Sequence, residues 1–404
     1  MRPDLLDQLR ARMPAAAPVL EALEPASAAW LVGGTVRDLL LEREPRPEID
    51  IAIADDPQEL SERLAREIGG TARTHGRFGT ASVFTDGLRV DVARTRAERY
   101  SKPGALPDVR PAPLAEDLAR RDFSVNAIAL GLDGTVTAVP HALEDLASRR
   151  LRVLHAASFR DDPIRLLRMV RYAARLGFEA EEQTARLAIE AARSGALVTT
   201  STDRIAAELA LVANEDTAPG ALQIANSFEI LTGIGAIAAY DAGIFETALE
   251  LLPDDGRRES LVVGLLARGL DPRAGERFVE ACSLDAPRRD AALAVCREAD
   301  VLADGLAQAP ERPSAWATLA RGRPLEAVAA AGALGPVERA RRWLEHLRSV
   351  RLEIDGNDLI SAGVAEGPSV GRGLQRALGL RLDGRLEPGR DAELRAALEE
   401  ANSG

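Results

Sequence analysis

Two carboxylates, Glu48 and Asp50, flank Ile49 in the run EIDIAI. On a β-strand side chains alternate, so both acids project from one face while Ile49, Ile51 and Ile53 go to the other. Paired same-side carboxylates suit a hard divalent cation such as Mg2+, which takes oxygen donors, keeps few protein ligands and bridges substrate phosphates. Shortly upstream, Gly33-Gly34-Thr35 follows the apolar Trp30–Val32 and leads into an amphipathic segment ending at Leu41. Glycines at 33 and 34 let backbone N–H groups approach a phosphate, and a helix beginning near Thr35 aims its positive end at the same spot. Arg37 is then placed to grip a phosphate oxygen. Either feature alone is common in proteins that do no chemistry. Strand, glycine turn, helix and acidic strand, in this order, point to phosphoryl or nucleotidyl transfer.

The elements that must hold these residues are legible on either side. Pro57–Ile68 is amphipathic and ends at Gly69-Gly70, so it reads as a helix with a C-terminal stop. Ala81–Thr85 and Leu88–Arg94 read as strands joined by Asp86-Gly87, a two-residue hairpin signal. The second of them can bring Asp91 to face the Glu48/Asp50 strand. Tyr100–Pro113 is rich in proline and predicts a loop over the site. Helical spacing puts Asp122 and Asn126 on one face. Asp162 and Pro163 predict the N-cap and first residue of a helix that Gly177 ends. Its apolar positions Ile164, Leu167, Val170 and Ala174 leave Asp162, Arg165 and Arg168 on another face. From about residue 215 onward the chain is Ala/Leu-rich and helical, with breakers near Pro253, Pro287, Pro310 to Pro313 and Pro324.

A chain of 404 residues implies two to four domains. Its net charge of -12 argues against indiscriminate coating of nucleic acid, so RNA contact requires a local basic face. Arg149–Arg175 supplies one, with eight arginines against Asp161 and Asp162. Lys102 is the only lysine, so guanidinium carries nearly all the positive charge, which favours bidentate phosphate contacts. Aromatics make up 3%, too few for extensive base stacking. Cys282 and Cys296 lack metal-ligand spacing and read as buried thiols of a reduced cytoplasm. Without a signal-peptide core or 18 consecutive apolar residues, the expectation is a soluble, untargeted protein.

Taken together, residues 31–53, 116–130 (EDLARRDFSVNAIAL) and 161–178 (DDPIRLLRMVRYAARLGF) resemble signatures of the DNA polymerase beta-like nucleotidyltransferases. The resemblance is to their class II branch, which holds bacterial tRNA CCA-adding enzymes and poly(A) polymerases. Residues 352–373 (LEIDGNDLISAGVAEGPSVGRG) resemble the tail signature of the CCA-adding enzymes. The resemblance implies an α/β nucleotidyltransferase head (1–145), a helical neck with a nucleotide-selecting motif (146–214), a helical body (215–340) and a helical, tRNA-binding tail (341–404). It makes Glu48, Asp50 and Asp91 catalytic ligands of two Mg2+ ions, and Gly33, Gly34 and Arg37 part of the nucleotide cradle. Arg120 and Arg121 would meet phosphate, while Asp122 and Asn126 would bond ribose hydroxyls. Asp161, Asp162, Arg165 and Arg168 would select the base. A carboxylate accepts from N4 of cytosine or N6 of adenine, and arginine donates to a ring nitrogen or to the cytosine carbonyl. Gly356 and Gly367 fall in the tRNA-binding tail signature.

The implied reaction moves CMP and AMP from CTP and ATP onto the 3′ end of tRNA, releasing pyrophosphate. Four departures stand against the family pattern: Glu48 replaces its usual Asp, Asp161 its usual Glu, Val139 its Asp, and a glycine pair before Asp145-Leu146 is missing. Other readings therefore stay open. They are an A-adding or C-adding tRNA enzyme, a poly(A) polymerase, and a non-catalytic RNA-binding descendant. Relatives of the poly(A) kind tend to end in a basic extension, whereas this sequence ends DAELRAALEEANSG.

Overall fold

The structure, a computed structural model, describes residues 4–23, 28–75, 79–235 and 240–402. Its described residues divide into two compact units, Met1–Arg204 with Ile224–Ile234, and Ile205–Gln223 with Gly235–Gly404.

The first unit is built on a sheet. In chain order the strands up to residue 138 are β1 (Ala29–Val32), β2 (Glu48–Ile53), β3 (Thr71–His75), β4 (Thr80–Thr85), β5 (Leu88–Arg94), β6 (Arg96–Arg99), β7 (Asp108–Pro111), β8 (Ile128–Gly131) and β9 (Val136–Ala138), and a short parallel pair, Arg150–Leu151 with Glu179–Ala180, follows. Seven of them form one sheet in the order β3-β4-β5-β2-β1-β8-β9, and β6 and β7 make a separate ribbon. The predicted strand, glycine turn, helix and strand are present, with the helix at Gly34–Leu40.

Alternation sorts the two faces of the sheet. Ile49, Ile51, Val83, Val90 and Val92 are buried on one face, and the Pro57–Glu67 helix packs against β3, β4 and β5 with Leu60 and Leu64 buried. That helix starts where the sequence predicts, because Asp56 accepts from Gln58 N–H and Pro57 occupies the first turn. On the opposite face, Val32, Ala52, Ala127, Ala129 and Leu118 form a small apolar cluster under β1 and β8. Farther along this face the pairing of β2 with β5 is parallel and sets Asp50 beside Asp91 and Glu48 beside Arg89.

Two local expectations are corrected. Tyr100–Pro113 is a loop only in part, because Asp108–Pro111 pairs antiparallel with Arg96–Arg99. Pro111 is tolerated at the end of a two-stranded ribbon, where its missing N–H interrupts no central ladder. Asp122 and Asn126 do not sit on an α-helix: that helix, Leu114–Ala119, stops early, and Ser124–Asn126 is a single 3-10 turn. The extended Phe123 explains the break, since its ring is fully buried and its backbone bridges Val153.

After the sheet the chain is helical. The Ile164–Leu176 helix ends at Gly177, whose φ of +67° is the left-handed stop the sequence predicts. In the second unit the prolines act chiefly at helix starts: Pro272, Pro287 and Pro313 each lie in a first turn, and Pro324 precedes Leu325–Ala333. One core there gathers Leu302, Leu306, Trp316, Trp343 and Leu382, and another gathers Ile354, Leu359, Val364, Ala377 and Ala397. Among the described residues no helix is long and apolar enough to cross a membrane.

Candidate active site

The turn after β1 is glycine for a reason of space. Gly33 has φ +68°, and a Cβ there would lie 3.1 Å from Asp50 Oδ2 and 3.5 Å from Arg121 Nη1. The vacant volume therefore opens between a carboxylate and a guanidinium. Burial, the neighbouring Asp91 and then Glu48 push the Asp50 carboxyl up from 3.8 to about 6, against the opposing pull of Arg121 and Arg89. Asp91 is tied on its outer side, where Ser82 Oγ donates at 2.5 Å and Arg89 donates through Nε at 3.1 Å and Nη2 at 2.9 Å. Glu48 sits at the exposed start of β2.

The expected three-carboxylate site is thus assembled only as a pair. Among the described residues no three His, Cys, Asp or Glu side chains converge as a metal cage. Arg89 holds Asp91, and Glu48 stands one strand step away from Asp50, which accounts for the gap.

Beside this pair is a cleft of about 310 Å³ walled by Gly33, Gly34, Asp50, Arg120, Arg121, Asp122, Asn126, Asp162, Arg165 and Arg168. Of the residues drawn from the first 178 positions, all but four converge there. Arg37, Glu48, Asp91 and Asp161 are off its wall. Arg37 is 1% exposed, donates from Nε to Asp38 at 2.8 Å and from Nη1 to Asn126 Oδ1 at 2.6 Å, and lies over the Tyr172 ring. Helix–sheet packing has buried it, so it braces Asn126 from behind the cleft wall. Asp161 lines an adjacent hollow with His155 and Glu116.

The arginines are aimed by acids. Asp117 receives Arg120 Nη2 at 2.7 Å and Arg121 Nη2 at 3.0 Å, and both guanidiniums help hold its carboxyl below the usual carboxylate range despite burial. Arg120 also donates to Glu98 at 2.7 Å. Arg121 Nε is buried with no hydrogen-bond partner, a donor that an anionic ligand atom would satisfy. Asp122 is fully occupied: Oδ1 accepts from Phe123 N–H at 2.8 Å and Asn126 Nδ2 at 3.1 Å, and Oδ2 accepts from Arg168 Nε at 2.9 Å. These partners keep its carboxyl ionised, chiefly through the Arg168 charge acting against desolvation. Asp122 therefore acts as the hub that orients Arg168 and Asn126.

On the neck side, Asp162 accepts from Ile164 N–H at 3.3 Å and from Arg204 Nη2 at 2.8 and 3.0 Å. Arg165, 4% exposed, donates to Ser158 Oγ at 2.6 Å and to the Arg120 carbonyl at 2.7 Å. Sequence reasoning missed Glu98, Tyr100, Tyr172 and Arg204. Tyr100 donates to Glu98 at 2.9 Å, and burial beside that acid pushes its phenol well above the usual range. Tyr172 accepts from Arg168 at 2.9 Å, one helical turn on, a spacing that could have singled it out. Gly356 and Gly367 belong to the other unit, where Gly356 opens a helix inside an Asp355/Asp358 capping box and Gly367, at φ +151°, precedes Pro368.

Comparison with known proteins matches residues 29–152 to the poly A polymerase head domain. The CC-adding tRNA nucleotidyltransferase of Deinococcus radiodurans is 34% identical over 359 residues, covering 88% of this chain and 84% of that protein. A solved CCA-adding enzyme in an apo form aligns with a TM-score of 0.80 at 26% identity, over 100% of this chain and 96% of that one. The Thermotoga maritima CCA-adding enzyme complexed with tRNA aligns with a TM-score of 0.73 at 25% identity, over 99% and 96% of the two chains. The chain spans less than half the length of three A-adding tRNA nucleotidyltransferases that it also matches.

Proposed function

The chain belongs to the tRNA nucleotidyltransferase family, and on that premise we propose that it transfers CMP and AMP from CTP and ATP to the 3′ hydroxyl of tRNA, releasing pyrophosphate. The observation that carries the proposal is the Asp50–Asp91 pair beside the vacant volume at Gly33, with Arg121 facing it.

A carboxylate pushed up to about 6 by burial first and then by its acidic neighbours is costly as an anion unless a cation joins it. The donor set therefore fits Mg2+, held by Asp50 and Asp91 with Glu48 as the next same-face oxygen donor. When bound, two such ions would polarise the transferring phosphoryl group and favour the ionised attacking hydroxyl. The protein's own groups do the rest. Gly33 and Gly34 let the triphosphate approach the backbone, and Arg121 and Arg120 hold it with their forks aimed by Asp117. Asn126, braced by Arg37 and Asp122, faces the ribose. Asp162 and Arg165 present an acceptor and a donor to the base edge, positioned by Arg204 and Ser158, with Arg168 beside them and Asp161 in the adjoining hollow.

The assignment extends to four parts, head, neck, body and tail, with the tail, including Gly356 and Gly367, contacting tRNA. Free thiols at Cys282 and Cys296 suit a cytoplasmic setting. A second reading, addition of only A or only C, is favoured by relatives of both kinds. Sequencing the 3′ ends of tRNA extended by the purified protein with all four nucleotides decides it. Ends completed to CCA support the proposal, ends stopping at CC or requiring CC favour the narrower readings, and unextended ends refute all three.

A further inference from the structure

The nucleotide cleft accounts for the acid pair and the arginines around it, but not for the rest of the same sheet face. Strand register places two parallel rows there. One row runs Ser82, Asp91, Asp50 across β4, β5 and β2; the next runs Phe84, Arg89, Glu48. The rows are two residues apart along each strand, about 7 Å. Phe84 is 38% exposed, and among the described residues it is the one aromatic in the set of exposed large hydrophobic side chains. A solitary exposed phenylalanine needs no explanation. This one is bracketed by two guanidiniums, Arg73 at 5.4 Å and Arg89 at 5.8 Å from its ring centroid.

We propose that Phe84, flanked by Arg73 and Arg89, is a stacking platform for an unpaired base next to the reacting 3′ terminus of the RNA acceptor; this rests on the function proposed above. An exposed ring with cations at its margins matches single-stranded RNA on both counts: a base stacks on the ring and the adjoining phosphates meet guanidinium. The complementarity is local, because the chain as a whole carries a net charge of -12. Position selects the acceptor over the incoming nucleotide. Phe84 is not on the wall of the cleft formed by Gly33, Arg121 and Arg165, and stands instead on β4, beyond Asp91 as seen from Asp50. Arg89 links the two rows, since it brackets the Phe84 ring and holds Asp91 with Nε and Nη2.

Wild type, Phe84→Ala, Phe84→Trp and Arg73→Ala test this in two assays. In extension, Phe84→Ala should raise the KM for tRNA about tenfold, the scale of one lost base stack, without a matching rise in the KM for CTP or ATP. Phe84→Trp should restore it, and Arg73→Ala should fall between. In direct binding, Phe84→Ala should weaken tRNA bearing unpaired 3′ nucleotides and leave a blunt-ended acceptor duplex unaffected. With an active wild type, a tRNA KM left unchanged by Phe84→Ala, or a rise confined to CTP and ATP, would overturn the platform. A wild type that extends no tRNA would instead refute the proposed function, and the binding comparison would still decide whether Phe84 contacts unpaired RNA.

Discussion

Asp50 lies against Asp91 and near Glu48 in a largely buried position, so its carboxyl gives up its proton near pH 6 instead of near 3.8. The sign for folding follows. Between those two values the folded chain binds a proton that the unfolded chain has lost, so stability falls as pH rises through the interval. Above it the cost is constant, at most about 3 kcal/mol. Asp50→Asn removes it. In EDTA at pH 8 the variant should therefore melt above wild type, and the gap should close below pH 4. Adding Mg2+ should raise the wild-type Tm and leave the variant's unchanged; a variant melting below wild type at pH 8 would sink this electrostatic account. The acids were legible at the residue scale because a period of two and a two-residue turn locate Glu48, Asp50 and Asp91 without knowledge of packing. Arg37 was not. Its type suggests phosphate, but burial against Tyr172 and a bond to Asn126 are tertiary facts with no local signature.

Among the elements, the Ile164–Leu176 helix was legible at both ends, because Asp162-Pro163 and Gly177 are start and stop signals set by backbone geometry, although the N-cap falls on Pro163, one residue later than expected. The 122–126 segment was misread for the same kind of reason that hid Arg37: a helical spacing of four was overridden by the burial of Phe123. Asp122 and Asn126 still meet at 3.1 Å, so the two side chains pair despite the wrong element. The β6–β7 ribbon was missed because its pairing joins residues across a proline-rich connection. The site-facing helix yields its own prediction. Arg165→Ala removes the proposed base-edge donor and takes the Arg165 partner from the buried Ser158 hydroxyl, which costs about 1–3 kcal/mol of stability. Selectivity for CTP and ATP over UTP should collapse before the rate for CTP disappears. An unchanged CTP-to-UTP ratio of kcat/KM would place base selection elsewhere.

Across the whole chain, the division into a sheet-bearing part and a long helical part was readable from where alternation gives way to Ala/Leu-rich helical pattern. The boundaries of the helical parts were less so, because their cores are shared across distant segments. Leu382 and Leu378 pack with Trp316 and Trp343, although they lie beyond the start of the tail. Ending the chain after Arg351 would therefore do more than remove the proposed tRNA contact. It strips at least two leucines from that core, and at about 1.5–3 kcal/mol each the truncated chain should melt well below wild type. A truncation with an unchanged Tm would show that the tail is independent of the Trp316 core. The central claim is Mg2+-dependent nucleotidyl transfer at the Asp50–Asp91 pair, and its most direct measurement is incorporation of labelled CMP and AMP into tRNA lacking its 3′ end. Wild type with Mg2+ should incorporate both and release pyrophosphate, while wild type in EDTA and Asp50→Asn with Mg2+ should incorporate neither yet bind tRNA as before. Tight tRNA binding by wild type with no incorporation of any nucleotide would contradict the claim and leave a non-catalytic RNA-binding descendant.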